Sequence, residues 1–332
     1  MGRCVVKASV EERLRRRFES AEKQGLWVVA NGHSEESALR HRISKGDVAQ
    51  PFRGCYARTT HLASLGLRQK ARITLRTLGR CHDDWVFCSY SAALLHGLWV
   101  ANALLDRVHI VAPSTHRRST SSLRRHAVAL RCEDVAVSQG VRVTSLERTL
   151  MDCLCGTGLD QGLAIIDSAL HWNLIGAPVL ERYLETCGVG RRGIRQARRT
   201  LALADGRSGS ALESFARAKM VKLGFAAPEL QVELFDPLEP DNPKFGDFGW
   251  LLDSPRPIIG EADGLGKYRG GHAGKAMADS VGGVIRELSW ERRREAHLNL
   301  TDARIVRFSY GDVADEAYFE RLLTAAGVPR AE

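Results

Sequence analysis

A chain of 332 residues, 44% hydrophobic and 26% charged, is long enough for two or three domains with cores of their own. It has no apolar run of about 18 residues, and its first stretch lacks the apolar segment of a secretory signal, which excludes a membrane-spanning reading and predicts a soluble, cytoplasmic protein without a membrane partner. The formal charge of +9 is uneven: residues 1–150 carry 25 Lys and Arg against 13 Asp and Glu, residues 151–205 balance, and residues 206–332 carry 17 against 20. Such a front-end surplus attracts phosphate before any specific contact forms, so a polyanion partner is expected there.

The first helix is predicted over Val10 to Lys23, with Leu14, Phe18 and Ala21 on one face. Leu26 to Ala30 is a short apolar patch. Ser34, with Ser37 as the weaker alternative, offers an N-cap before ALRHRIS, and Gly46 stops that helix. VAQPFRGCYAR, residues 48–58, supplies two short extended pieces about Pro51 to Gly54, like a β wing. Helix, turn, helix and wing fit a winged helix-turn-helix whose reading helix exposes Arg40, His41, Arg42 and Lys45, with Arg53 in the wing. An ordinary solvated face accounts for the same charge run equally well.

Further on, Ser91 to Leu98 reads as a buried helix ended by Gly97, with His96 in a structural role. RVHIVAP (107–113) and HAVALR (126–131) alternate as strands about a basic, serine-rich loop that is either simply mobile or, the favoured reading, contacts phosphate through Arg117 and Arg118. Thr144 or Ser145 caps a helix with Leu146, Leu150 and Met151 on its core face, and Gln161 to Trp172 forms another. Residues 188–210 add an arginine-lined helix and a Gly/Ser-rich joint that marks a domain boundary. The segments ALRHRISKGDVAQPFRGCYAR, SYSAALLHGLW and VTSLERTLMDC resemble the AbiEi family of antitoxins over roughly residues 20–170. That resemblance implies a DNA-binding winged helix, a transcriptional-regulator role and a cognate toxin as partner.

In the last third, SALESFARAKMVKL is an amphipathic helix carrying Glu213, followed by APELQVELFD, an alternating strand with Gln231. Phe245 to Leu252 and Pro257 to Ala262 form a hairpin-like pair about the loop Asp253 to Pro257. Residues two apart on a strand share a face, so Glu261 and Asp263 point the same way as Ile259, and Asp247 on the neighbouring strand can approach them. Such an oxygen cluster is what a hard cation requires. RELSWERRREAHLNL then reads as a helix and ARIVRFSYGDV as a strand.

This αβββαβ order, with an acid on one strand and GEADG before KY on the next, resembles the PD-(D/E)XK nuclease superfamily over residues 210–313, most closely its Vsr-like branch. The resemblance implies a restriction-endonuclease-like core in which Asp247 and Glu261 hold Mg²⁺ (or Mn²⁺) for hydrolysis of DNA phosphodiesters. It also implies that Glu213 orients the attacking water or supports the ligands. Asp263 stands where the family motif has lysine; the superfamily tolerates migrated lysines, and Lys267, four residues on, could return its ammonium to the site and stabilise developing charge. The expected fold is α/β (α+β): a winged helix-turn-helix over 1–80, a middle α+β domain over 81–205 and the nuclease-like core over 206–332. Two functions follow from different classes: a Mg²⁺-dependent endonuclease acting on double-stranded DNA, or an AbiEi-like regulator whose nuclease fold is retained for binding or as a homodimer interface.

Eight scattered cysteines and eleven histidines show no metal-ligand spacing, so reduced thiols and no histidine-bound zinc are expected. No phosphate-binding glycine loop and no G-x-S-x-G elbow occurs, which leaves nucleotide-dependent and serine-hydrolase chemistry without support.

Overall fold

Helix α1 (Val10–Gln24) opens with Glu11 and Glu12, ends with Lys23 in its last turn, and buries Leu14 and Phe18. The terminal charges complement the helix dipole, and the spacing of four puts both apolar side chains on one face. The computed structural model to which this helix belongs describes residues 10–113, 119–234, 238–239, 241, 244–263 and 303–331. The apolar patch that follows α1 contains strand β1 (Val28–Val29), which pairs antiparallel with β3 (Cys55–Arg58) through Val28 and Tyr56. Helix α2 (His33–Ser44) starts one residue before the predicted Ser34 cap. Its N-cap is Gly32 at φ 89 without a side-chain cap bond. The Glu35 carboxylate anchors this turn, accepting the Asn31 N–H at 2.9 Å while pairing with Arg17 of α1.

Strand β2 (Val48–Phe52) and β3 make a hairpin with a register shift between Ala49 and Phe52. Pro51 lies in that interval and has no N–H to give to a ladder. The sheet order is β1-β3-β2, and Leu14, Phe18, Val28, Leu39, Val48 and Tyr56 form the core between it and the two helices. Each such side chain contributes about 1.5–3 kcal/mol by leaving water.

Two helices follow that the sequence reading lacked, α3 (Thr59–Ser64) and α4 (Leu67–Cys81). Trp27 fastens α4, its indole Nε1–H donating to Thr74 Oγ1 and its backbone N–H to Thr77 Oγ1, both at 2.9 Å. Helix α5 (Ser89–Leu95) is buried throughout, and Gly97 at φ 88 follows it. His96 Nε2 lies 2.9 Å from the Thr144 carbonyl, a structural contact. Strand β4 (Val108–Ala112) runs parallel to β5 (Leu123–Ala127), so the second predicted strand begins at Leu123 and residues 128–131 are not extended into it. The hairpin of β6 (Val135–Ser138) and β7 (Val141–Thr144) turns at Gln139 and Gly140, both with positive φ, the geometry that suits a two-residue hairpin turn. Helix α6 (Leu146–Gly156) closes this unit, since the chain divides into two compact units, Met1–Gly156 and Thr157–Glu332.

In the second unit, α7 (Leu159–His171), α8 (Ala177–Cys187) and α9 (Ile194–Ala202) lead into α10 (Ala211–Lys222). A four-stranded sheet follows, built from β8 (Glu229–Leu234), β9 (Lys244–Trp250), β10 (Ile258–Asp263) and β11 (Arg304–Ser309) in the order β11-β10-β9-β8. β8, β9 and β10 are antiparallel neighbours, whereas β10 and β11 are parallel. The predicted helix between β10 and β11 lies outside the described residues. Helices α11 (Tyr310–Ala314) and α12 (Glu316–Ala326) end the fold.

One face of the sheet, carrying Phe248, Trp250, Ile258, Ala262, Val306 and Phe308, packs with Leu212, Ala216 and Met220 of α10 and Phe319 and Leu323 of α12. Leu234 and Ile259 form a smaller cluster with partly buried Val232, Leu252 and Ile305. Asp167 of α7, fully buried, joins α7 to α10: its Oδ2 accepts from Arg217 Nη2 at 2.6 Å, and its Oδ1 accepts the Asp205 N–H at 2.8 Å. Burial pushes this carboxyl above the usual range while Arg217 pulls it down. The protein is a mixed α+β structure, and among the described residues no helix is long and apolar enough to cross a membrane.

Candidate functional site

Regular pairing of β9 with β10 runs through Ile258–Trp250, Ile259–Gly249 and Gly260–Phe248, and the next step of that register would set Asp247 opposite Glu261. The Ala262 N–H goes to a side chain there, donating to Asp247 Oδ2 at 2.8 Å. Alternation breaks at Asp247. A Cβ on Gly246 would meet Ile259 Cγ2 at 2.5 Å and Leu234 Cδ1 at 3.6 Å, placing Gly246 against the smaller cluster, whereas Phe248, two residues on, lies in the main core. Residues two apart on a regular strand share a face, so the strand is twisted between them and Asp247 turns towards β10. The same hypothetical Cβ would lie 3.8 Å from Glu261 Oε1. Glycine at 246 therefore lets β9 approach β10 closely, with the Glu261 carboxylate lying over it.

Strand β8 shows the matching irregularity. Leu230 belongs to the main core and Val232 packs on the smaller cluster, and between them Gln231 adopts φ 53. The β8–β9 register pairs Leu230 with Phe248 and Val232 with Gly246, which sets Gln231 level with Asp247. Gln231 Nε2 donates to Glu213 Oε2 at 3.2 Å, and the same oxygen accepts the Gly209 N–H at 2.6 Å. Ser210 caps α10 by accepting the Glu213 N–H at 3.2 Å. Ser210 thus caps α10 through its hydroxyl, while the Glu213 carboxylate reaches past the cap to the N–H of Gly209, one residue before it, rather than closing a capping box.

Glu213, Asp247 and Glu261 are all buried, with 4%, 8% and 3% of their surface exposed. The structure ties Glu213 through Gln231 to the strand position beside Asp247, and it sets Asp247 and Glu261 on adjacent strands. Asp263 is exposed at the end of β10. Lys267 lies outside the described residues, as do Arg117 and Arg118. Among the described residues no group of three or more His, Cys, Asp or Glu is placed to hold a metal ion. Asp247 and Glu261 together offer carboxylate oxygens, the donor type that suits Mg²⁺ or Mn²⁺.

In the first unit Arg40, His41 and Lys45 are exposed on α2 or at its C-cap, and Arg53 is exposed in the β2–β3 turn. Arg40 pairs with Glu36 one turn back at 2.6 Å. Arg42 differs from these: its side chain is 20% exposed and pairs with Glu11 of α1, so it braces α1 against α2. Sequence reasoning gave no role to the pair formed by His109 Nδ1 and His126 Nε2, 3.0 Å apart, beside Tyr90. Burial and the neighbouring His126 push His109 down to about 4.

Two uncharacterized proteins of Mycobacterium tuberculosis, from strains CDC 1551 / Oshkosh and ATCC 25618 / H37Rv, are each 33% identical to this chain over 147 residues, 44% of its length. The match spans about half, 52%, of each relative. No family model matches the chain. No solved structure matches it either.

Proposed function

We propose that the protein binds double-stranded DNA through its first unit and hydrolyses DNA phosphodiesters with a Vsr-like PD-(D/E)XK site in its second, dependent on Mg²⁺ or Mn²⁺. The observation that carries this reading is the pair of buried carboxylates Asp247 and Glu261 on adjacent strands, at the point where β9 leaves regular alternation. Burying two acids on adjacent strands is costly unless a cation or hydrogen bonds offset their charge. Asp247 and Glu261 would hold the ion, which supplies Lewis acidity and lowers the pKa of water. Glu213, fixed by the Gly209 N–H and by Gln231, orients the water or supports the ligands from the helix side. In the first unit, α1, α2 and the β2–β3 hairpin support a winged helix, with Arg40, His41, Lys45 and Arg53 exposed to the duplex. Exposed Arg192, Arg195, Arg198 and Arg199 at α9 add phosphate-binding charge to the second unit.

Asp263 favours a second reading. An acid in place of the motif lysine adds negative charge where a phosphate would approach, and this suits an AbiEi-like antitoxin or regulator whose nuclease fold serves binding or homodimer formation, with a cognate toxin as partner. Titration of the full chain with MgCl₂ and MnCl₂, together with cleavage of supercoiled plasmid, separates the two. The nuclease reading expects ion binding and nicking that Glu261→Ala abolishes. A wild-type chain that binds no divalent ion, or a Glu261→Ala variant that nicks normally, transfers the conclusion to the regulator.

A further inference from the structure

The β10–β11 register pairs Glu261 with Arg307. Alternation puts the two on one face: the neighbouring pair Ile259 and Ile305 packs in the smaller cluster, while Val306 and Phe308 enter the main core. Arg307 is half-buried. Among the described residues it forms no hydrogen bond or ion pair, with Glu261 or with any other group. Nearby arginines are used differently. Arg304 on the same strand donates to the Ala326 carbonyl at 2.8 Å, and Arg330 donates to the Leu223 carbonyl at 2.7 Å while lying over the Phe225 ring. A guanidinium on the same face as a buried carboxylate, yet not spent on it, keeps its fork of N–H donors for a second anion, and phosphate oxygens match that fork.

We propose that Arg307 binds the backbone phosphate presented to Asp247 and Glu261, supplying from β11 the positive charge that Asp263 denies to β10. The inference rests on the nuclease reading for the identity of the ligand. Its geometry is independent of Lys267. A planar, always-charged group one strand from Glu261 and two from Asp247 can hold a phosphate oxygen without competing for the cation, and it can stabilise charge that accumulates on that oxygen as the bond to the leaving group breaks.

The test uses the full chain and inorganic phosphate as probe, titrated calorimetrically in MgCl₂ against wild type, Arg307→Gln and Arg307→Lys, with plasmid cleavage as a second readout. Wild type is expected to bind phosphate. Arg307→Gln is expected to weaken that binding tenfold or more and to slow cleavage by about 10²-fold, in line with loss of one charge-stabilising donor, while Mg²⁺ affinity stays within a factor of about two. Arg307→Lys, which keeps the charge without the fork, falls between. Phosphate binding and cleavage at wild-type levels in Arg307→Gln overturn the proposal, as does a wild-type chain that binds no phosphate. Parallel loss of Mg²⁺ and phosphate affinity in both variants also overturns it, since that outcome marks a structural role. If wild type binds no Mg²⁺ but binds phosphate through Arg307, the nuclease reading fails and the anion site stands.

Discussion

Replacing Asp247 by Asn and by Ala separates its two roles, because the carboxylate both takes a buried N–H and stands beside Glu261. The hydrogen bond from Ala262 is 2.8 Å long and lies in the interior. A bond to a charged acceptor contributes about 1.5–3 kcal/mol, and leaving the N–H buried without a partner forfeits all of it, so Asp247→Ala should lose about 2–3 kcal/mol. Asn keeps an oxygen in place. Its neutral bond contributes about 0.5–1.5 kcal/mol, a loss of about 1 kcal/mol, and removing one of two neighbouring buried charges returns part of that. Asp247→Asn should therefore unfold in urea close to wild type, well above Asp247→Ala, and yet bind Mn²⁺ at least tenfold more weakly. Tryptophan fluorescence follows the first quantity and calorimetry the second. If Asn proves as destabilising as Ala, the charge itself is structural, and Mn²⁺ binding unchanged in Asp247→Asn would refute the ligand role.

Arg217→Met alone strands the buried Asp167 carboxyl and should cost about 3–5 kcal/mol, whereas the double variant Asp167→Leu/Arg217→Met should recover only part of it in urea unfolding, because the Asp205 N–H and the Leu203 carbonyl also lose their partners. His109, whose folded value of about 4 lies below its ordinary 6.5, binds a proton in the unfolded chain first. Its contribution is present above about pH 6.5 and is lost as the pH falls through 4, a decline of about 3 kcal/mol that His109→Gln should flatten in pH-dependent unfolding. Arg40→Glu with Lys45→Glu should reduce duplex binding at low salt while lowering stability by less than about 1 kcal/mol, the loss expected from breaking the exposed Arg40–Glu36 pair. Arg42→Glu should destabilise the fold by facing Glu11, and equal DNA affinity in the folded Arg40/Lys45 double variant would remove α2 from the interface.

The α10 start and the β9–β10 pair were legible because capping and period-two alternation are local: Ser210, Glu213 and the run Ile258 to Ala262 carry their own signals. The break at Asp247 was not. It lies level with Gln231, which holds φ 53 on the neighbouring strand, and no residue type announces that conformation. Arg307 needed the parallel register of a strand more than forty residues away in sequence, which alternation within one strand does not supply. Helix α4 was readable in principle, since Thr74, Leu75, Thr77 and Leu78 bury one face, but two threonines dilute its apolar stripe. The Gly/Ser stretch before α10 illustrates a different limit. Ser208 is fully buried, and a Cβ on Gly206 would lie 3.0 Å from Leu170, so these small residues permit close packing, although their composition reads as a loose joint.

The Asp167–Arg217 bond determines where this chain can be cut. A fragment starting at residue 206 carries the whole four-stranded sheet but leaves Arg217, whose side chain is only 10% exposed, without Asp167, and Lys219 without Asp160, 3.1 Å away. Such a piece opens a charged and apolar flank of α10 to water and would be expected to aggregate or fail to accumulate. A fragment beginning at Thr157 keeps α7 as the outer wall of the sheet domain. Any recombination, natural or engineered, that moves this sheet to another protein must carry the three preceding helices with it.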